Sequence, residues 1–405
     1  MRERLLFLCH RIPYPPDKGD KIRAWHMLEH LAGSYDVELG CLVDDPADLD
    51  HIPTLRRTCS VVEAYLTGTR RAAAARALLR WRPGLPLSLG WFHEPRLYAW
   101  AQAGLAARRY DAVYVYSSAM APYAAGPLGP RCVLDMVDVD SEKWRAYAAD
   151  ARAPMRQVWA REARTLLAYE RRMAAKFDRT LFVSNEEASR FKALAPECKG
   201  RVDHVDNGVE LARFDPELPS ANPYAGGPPA IVFTGTMDYR PNIDAVTWFA
   251  REVMPRLVAH GPRFHIVGAN PTAAVLALAA LPDILVSGSV PDTRPYIAYA
   301  AVAVAPLRIA RGIQNKVLEA MAMARPVVAS PEAFEGVRAR PGRDLLVAEG
   351  AADMAGCIQK ILNGQHAGLG QAAREAVIAG HDWRSTLRRL DAVMRPEAVR
   401  QDIMA

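Results

Sequence analysis

The chain has 405 residues, too many for one hydrophobic core, so two domains are expected. Half of the residues are apolar and 24% charged, the balance of a folded globular enzyme rather than a disordered or fibrous chain. A net charge of +6 suits anionic partners such as nucleoside diphosphates or acidic lipid, and with neither a zinc-finger spacing nor an RNA-binding aromatic motif no nucleic-acid partner is expected.

The six cysteines (Cys9, Cys41, Cys59, Cys132, Cys198 and Cys357) are scattered without a C-x-x-C pair, which reads as buried free thiols in a reducing cytosol. Leu5 to Cys9 is too short for the apolar core of a signal peptide. No apolar run reaches the roughly 18 residues of a membrane span.

In chain order, Arg4 to Cys9 reads as a buried strand running into 10-HRIPYPPDKGDKIRAWHMLEHL-31. Its prolines hold an extended loop, Gly19 permits close backbone approach, and Asp20 is placed to cap the following helix. Lys18, Lys21 and Arg23 also suit a solvated face. Further strands are expected at Val37–Val43, Val61–Leu66, Ala112–Tyr116, Val133–Val137 and Thr180–Ser184, most of them separated by helical stretches, a doubly wound α/β pattern. The fifth strand ends in 135-DMVDVDS-141. Asp138 there is a candidate polar group at a strand's carboxyl end, and Asp140 or Ser141 a cap for one long Arg-rich helix over 142–177. The D-x-D triplet of Asp138 and Asp140 is too short a pattern to argue a metal, and none is expected. Asn207-Gly208 turns the chain at a boundary, and Pro219–Pro229 reads as a linker. A second set of strands is expected at Ala230–Thr234, Phe264–Val267, Ile284–Val286, Ala301–Ala305, Pro326–Ala329 and Leu345–Val347, then a last helix from Asp382-Trp383 to about Met394.

The stretch 301-AVAVAPLRIARGIQNKVLEAMAMARPVVAS-330 carries the chemistry. It reads as strand, loop, helix over Ile313–Ala324, turn and strand, with Arg325-Pro326 as the stop. Gly312 would let a ligand approach the backbone. The amides of Ile313, Gln314 and Asn315 would be free first-turn donors at the positive end of a helix dipole, a cradle for phosphate. Arg308, Arg311 and Lys316 add charge. Glu319, one turn on, shares the face of Asn315 and Lys316 and is suited to accept from a ribose diol. An ordinary βαβ unit with solvated charges has the same spacing.

K-V-L-E-A-M-A-M-A-R-P-V-V-A-S resembles the donor-site signature of the family 4 retaining glycosyltransferases, usually E-x7-E followed by A-M-A-x-G-x-P-V-V. Glu319 matches the second Glu; Arg311 stands at the first, and Ala324 where the Gly is usual. The 10–31 loop resembles the family's first glycine loop, with Gly19 kept and Asp20 in place of a second glycine. The 202-VDHVDNGVELARFDP-216 segment resembles its interdomain strand. Gly235-Thr236-Met237 matches a loop in which many relatives hold the diphosphate with Arg and Lys, and here only Arg240 is near. Gly268-Ala269-Asn270 and Gly288-Ser289-Val290 match places where the backbone wraps the base. The family's His after the fourth strand is absent from Val115-Tyr116-Ser117-Ser118. Finer wording (P-Y-P-P-D-K-G-D-K-I-R, D-x-V-D-V-D-S-E-K-W, G-x-M-x-Y-x-P-N) resembles the bacterial sugar transferases of exopolysaccharide and exosortase systems.

The resemblance implies two facing Rossmann-like domains (GT-B type), 1–207 on the acceptor side and 208–380 holding the nucleotide sugar, with a C-terminal helix and tail, 381–405, crossing back. It implies transfer of a sugar from a nucleotide diphosphate sugar, with retention and no obligatory cofactor, to a glycan or polyprenyl-linked acceptor. Catalytic candidates are Lys316, Arg308, Arg311 and Asp138; donor-binding candidates are Gly19, Asp20, Gly235, Arg240, Val290, Gly312, Ile313, Gln314, Asn315, Lys316 and Glu319. A catalytically silent nucleotide-sugar binder, favoured by Arg311, and an epimerase of the same fold are the alternatives. Residues 64–93 hold Arg70, Arg71, Arg76, Arg80 and Arg82 among Trp and Leu, with no acid. They read either as an anionic-membrane surface, which would make the protein cytoplasmic and peripheral on the inner face, or as a helix and apolar loop packed in the first domain.

Overall fold

The computed structural model describes residues 2–124, 129–257, 261–310 and 312–395, except for the side chains of Arg70 and Asp150. The chain divides into two compact units, Met1–Val205 with Leu387–Ala405, and Asp206–Thr386.

The first unit is built on seven strands: β1 Arg4–Cys9, β2 Asp36–Val43, β3 Val61–Leu66, β4 Ala112–Tyr116, β5 Arg131–Val137, β6 Arg179–Phe182 and β7 Val202–His204. Their order in the sheet is β3-β2-β1-β4-β5-β6-β7, and every pair is parallel. Parallel strands need crossovers that cover both faces, which is why β1 after Arg4 and all of β4 are apolar and buried. Leu6, Leu8, Val113, Val115, Leu134 and Phe177 form part of the core beneath the helices.

The second unit has β8 Ala230–Thr234, β9 Arg263–Val267, β10 Ile284–Gly288, β11 Val302–Ala305, β12 Val327–Ala329 and β13 Leu346–Val347. Their order is β10-β9-β8-β11-β12-β13, again all parallel. Its core includes Ile231, Phe233, Phe249, Phe264 and Leu318, with the Phe249 and Phe264 rings 4.5 Å apart.

Several local expectations need correction. Residues 142–177 are two helices, Asp140–Asp150 and Met155–Ala174. The cap position of the first is Val139; Asp140 lies in its first turn, and Ser141 instead binds Glu170, amide to Oε1 at 3.2 Å and hydroxyl to Oε2 at 2.6 Å. Pro219–Pro229 is no free linker: Tyr224 packs on His265 at 4.5 Å and donates to the Tyr296 carbonyl. The last helix, Trp383–Met394, contains the boundary between the units. Its Leu390, Val393 and Met394 are buried, Arg389 pairs with Asp203, and Asp391 binds His30 at 2.7 Å.

Candidate functional site

Each sheet has one place where strand order reverses. Chain crossovers leave in opposite directions there, opening a crevice at the strands' carboxyl ends, the usual ligand position in such sheets. In the second unit this place lies between β8 and β11.

Gly235 follows β8 with φ +155, and Gly268 follows β9 with φ +150. A Cβ on Gly268 would lie 1.7 Å from the Gly235 carbonyl oxygen, so only two glycines let these loops touch. A Cβ on Gly235 would lie 2.7 Å from the amide nitrogen of Asn242 and 3.5 Å from Lys316 Nζ. Asn242 belongs to the helix Arg240–Trp248 and is buried. Its Nδ2 donates to the Thr236 carbonyl at 2.9 Å, and its Oδ1 accepts from Lys316 Nζ at 2.8 Å.

Lys316 belongs to the helix Asn315–Ala322, which begins two residues later than the spacing predicts. The first-turn amides without a partner among the described residues are therefore those of Asn315 and Lys316, while Ile313 and Gln314 precede the helix. Gly312, with φ +63, bends the chain into it. Gln314 occupies the cap position without a side-chain capping bond; its Nε2 donates to the Gly312 carbonyl at 3.1 Å. Asn315 Oδ1 accepts from Asn207 Nδ2 at 3.3 Å.

The Lys316 ammonium lies 4.7 Å from the centroid of the Phe233 ring. The residue is half-buried, and its ammonium is largely desolvated. Burial pushes its pKa down to about 8 against the opposing pull of Glu319. Burial also raises Glu319, against the charges of Lys316 and Arg213. Among the described residues no carboxylate lies in ion-pair contact with Lys316. The site thus presents a desolvated cation, two glycine loops and a helix N-terminus, an arrangement that attracts a multiply charged anion.

Other expected donor residues are less direct. Arg308, expected to face the phosphates, is held by Asp244 through two hydrogen bonds, 3.0 and 2.5 Å, and lies 5.8 Å from the Trp248 ring. A bidentate carboxylate satisfies its fork, so its charge is already met. Arg311 lies outside the described residues. Arg240 starts the 240–248 helix, half-buried, and Val290 follows β10, half-buried.

In the first unit strand order reverses between β1 and β4. His10 and Arg11 leave β1, and the His10 ring stacks on Tyr116 of β4, centroids 5.8 Å apart and planes at 12°. Asp20 does not cap its helix, Gly19–Ser34, whose cap position is Lys18. Its carboxylate is bound by Arg11 and lies 3.5 Å from His10 Nε2. Burial would raise its pKa, but His10 and Arg11 outweigh this and hold it well below the usual carboxylate range. Asp20 therefore organises β1's exit, while Gly19, exposed, opens the helix. Lys21 and Arg23 are no solvated face: both are buried, Lys21 on Asp48 at 2.7 Å and Arg23 on Asp135, which also accepts from Tyr114 at 2.6 Å.

The ends of β4 and β5 are strained. Ser117 has φ +82 and Val137 φ +69, a costly conformation for a β-branched residue. Asp138 follows directly. Its Oδ1 is buried without a hydrogen-bond partner, and burial, then Glu187 and Asp140, raise its pKa to about 8. Among the described residues no group of His, Cys, Asp and Glu could hold a metal ion.

Sequence reasoning missed Asn242 in the second unit and His10 with Tyr116 in the first. Asn242 had a legible signal, since it follows a glycine loop at the start of a helix. Gly268 was expected at a base-wrapping loop, but its close approach to the Gly235 carbonyl depends on the tertiary meeting of two loops.

These two parallel-sheet α/β units have the fold of the GT-B glycosyltransferases. Residues 228–364 match the family described as Glycosyl transferases group 1. A sucrose-phosphate synthase from Thermosynechococcus elongatus is 18% identical, with a TM-score of 0.73 over 98% of this chain and 99% of that one. Anabaena Alr3699/HepE, in complex with UDP and glucose, is 13% identical, with a TM-score of 0.65 over 97% and 100%. WaaG, a glycosyltransferase involved in lipopolysaccharide biosynthesis, is 14% identical, with a TM-score of 0.66 over 96% and 99%. At these identities the likeness is one of fold. No curated protein matches the chain.

Proposed function

We propose that this protein is a family 4 glycosyltransferase that moves a sugar from a nucleoside diphosphate sugar to a glycan or polyprenyl-linked acceptor, with retention at the anomeric carbon. The 206–386 unit holds the donor and the first unit the acceptor; the process is exopolysaccharide synthesis at the cytoplasmic face of a membrane. The observation that carries the reading is the Lys316 ammonium, hydrogen-bonded to Asn242 beside Gly235 where the sheet order reverses, with no carboxylate among the described residues paired to it. A diphosphate supplies the missing charge, the Asn315 and Lys316 amides add donors, and Glu319 accepts from the ribose. The Anabaena neighbour's complexes with UDP and UDP-glucose make uridine donors the first to try.

In the reaction the bond from the anomeric carbon to the diphosphate breaks and a bond to the acceptor oxygen forms on the same face. The acceptor's proton passes to the leaving phosphate oxygen. Negative charge grows on the diphosphate as the bond breaks, so Lys316 and the helix N-terminus bind the transition state more tightly than the ground state. No cofactor enters this scheme. Incubation with a panel of nucleotide sugars tests it: the wild type should release nucleotide from at least one, and Lys316→Ala and Glu319→Ala should release far less. Wild-type turnover in both variants would sink the assignment.

A further inference from the structure

We infer that the end of the Arg70–Leu79 helix, the 80–85 loop and the first turn of the Met155–Ala174 helix form a docking face for an anionic lipid bilayer. This deepens the membrane location proposed above by naming the surface; it does not depend on the donor site.

The Arg70–Leu79 helix is amphipathic the wrong way round for a solvated helix. Its inward residues are the alanines Ala73 and Ala77, which are buried. Ala77 backs onto Gly90 of the short helix Leu87–Trp91, so closely that a Cβ on Gly90 would lie 2.7 Å from the Ala77 Cα. Its leucines point outward: Leu78 is 69% exposed and Leu79 85%. Single exposed leucines are ordinary, but these are followed in the chain by Trp81, 49% exposed, and the helix whose Arg161 lies against that Trp exposes Met155 and Val158 as well, 43% and 40%.

The patch is joined and stiffened from below. Arg161 lies 5.4 Å from the Trp81 ring and donates to the Leu85 carbonyl at 3.2 Å. Val158 precedes it by three residues on the same helix, hence on the same face. Glu162 is buried and accepts from the amides of Leu87 and Ser88 at 2.9 and 3.0 Å, so its charge is spent inside.

Next to these apolar residues in the chain are Arg80, Arg82, Arg152 and Arg156, all exposed and none paired with a carboxylate among the described residues. Arg76, by contrast, is half-buried and donates to the Thr67 carbonyl at 2.6 Å, a structural task. Exposed, unneutralised arginines flanking protruding leucines and one indole in the chain match lipid phosphates above an acyl boundary. A single-stranded nucleic acid would call for stacked aromatic faces instead of aliphatic ones. Among the described residues no helix is long and apolar enough to cross a membrane, so attachment through this face would be peripheral.

Flotation of the full chain with phosphatidylglycerol or phosphatidylcholine vesicles tests the assignment. The wild type should float with the anionic vesicles at low salt, be released as salt shortens the screening length to a few ångströms, and stay down with the neutral ones. Each cation at such a surface contributes about a fivefold gain in partitioning, so R80E/R82E/R156E should lose on the order of a hundredfold or more. Leu78→Ser with Leu79→Ser, both exposed and therefore tolerated by the fold, should lose about tenfold. Thermal melts and nucleotide release in solution, read on the same samples, separate loss of docking from loss of fold or of the donor site. Wild-type recovery that is equal on both vesicles or absent from both, or variants that float like the wild type, would overturn the inference.

Discussion

Replacing Lys316 by methionine isolates the cation from the shape around it. Methionine keeps most of the apolar stem against Phe233 and removes only the charged end, now 2.8 Å from Asn242 Oδ1. Stability should change little, because two effects oppose. Asn242 loses a partner for a buried oxygen, a cost of about 1 kcal/mol, while the fold no longer buries a charge whose pKa has been driven from the ordinary 10.5 to about 8. Between those two pH values the unfolded chain holds a proton the folded protein has lost. Wild-type stability should therefore rise with pH across that window, and the methionine variant should lack this slope. Catalysis should respond far more, since one preorganised donor to developing charge is typically worth about 10²–10³ in kcat, or roughly 3–4 kcal/mol. Donor affinity of the wild type should also fall as pH rises through about 8, where free Lys316 loses its proton. Nucleotide release against donor concentration, with titration calorimetry of the nucleoside diphosphate across pH, measures both effects. Unchanged kcat/KM in Lys316→Met, or donor binding indifferent to pH above 8, would refute the role given to this ammonium.

Ala324 has φ +54, the left-handed position after the Asn315–Ala322 helix where glycine is favoured, so Ala324→Gly should stabilise the second unit by about 1 kcal/mol and raise its melting temperature by about 2–4 °C in calorimetry. Gly268→Ala should do the opposite: its Cβ meets the Gly235 oxygen, so the variant should lose on the order of 3 kcal/mol or more by urea unfolding and bind donor poorly. In the first unit, burial and the neighbouring Glu187 and Asp140 raise Asp138 to about 8, and burial raises Glu170 to about 8 as well. The folded state then holds protons the unfolded state has lost, so stability should decline from about pH 4 to 8, and Asp138→Asn should remove about one proton's worth of that slope in melts taken across pH.

The strand pattern was legible because parallel strands buried on both faces write themselves as short apolar runs. Arg4–Cys9, Ala112–Tyr116 and Ala230–Thr234 stand where periodicity and flanking turns put them. The Asn315–Ala322 helix was legible too, through Gly312 before it and Arg325-Pro326 after it, although its start moved from Ile313 to Asn315. Helix ends depend on which amides find other partners, and spacing alone does not report that. Charge was the least legible property. Lys21 and Arg23, which read equally as a solvated face, are buried on Asp48 and Asp135, and Arg308 is met by Asp244, 64 residues away in sequence. Asp20 was readable as a cap, yet its carboxylate serves His10 and Arg11 instead. An ion pair is decided by which distant side chain arrives within a few ångströms, and that is a property of sheet order and helix packing. The same holds for Leu78 and Leu79. Sequence shows leucines among arginines, and only the tertiary structure shows that the alanines take the inner face and leave the leucines outside.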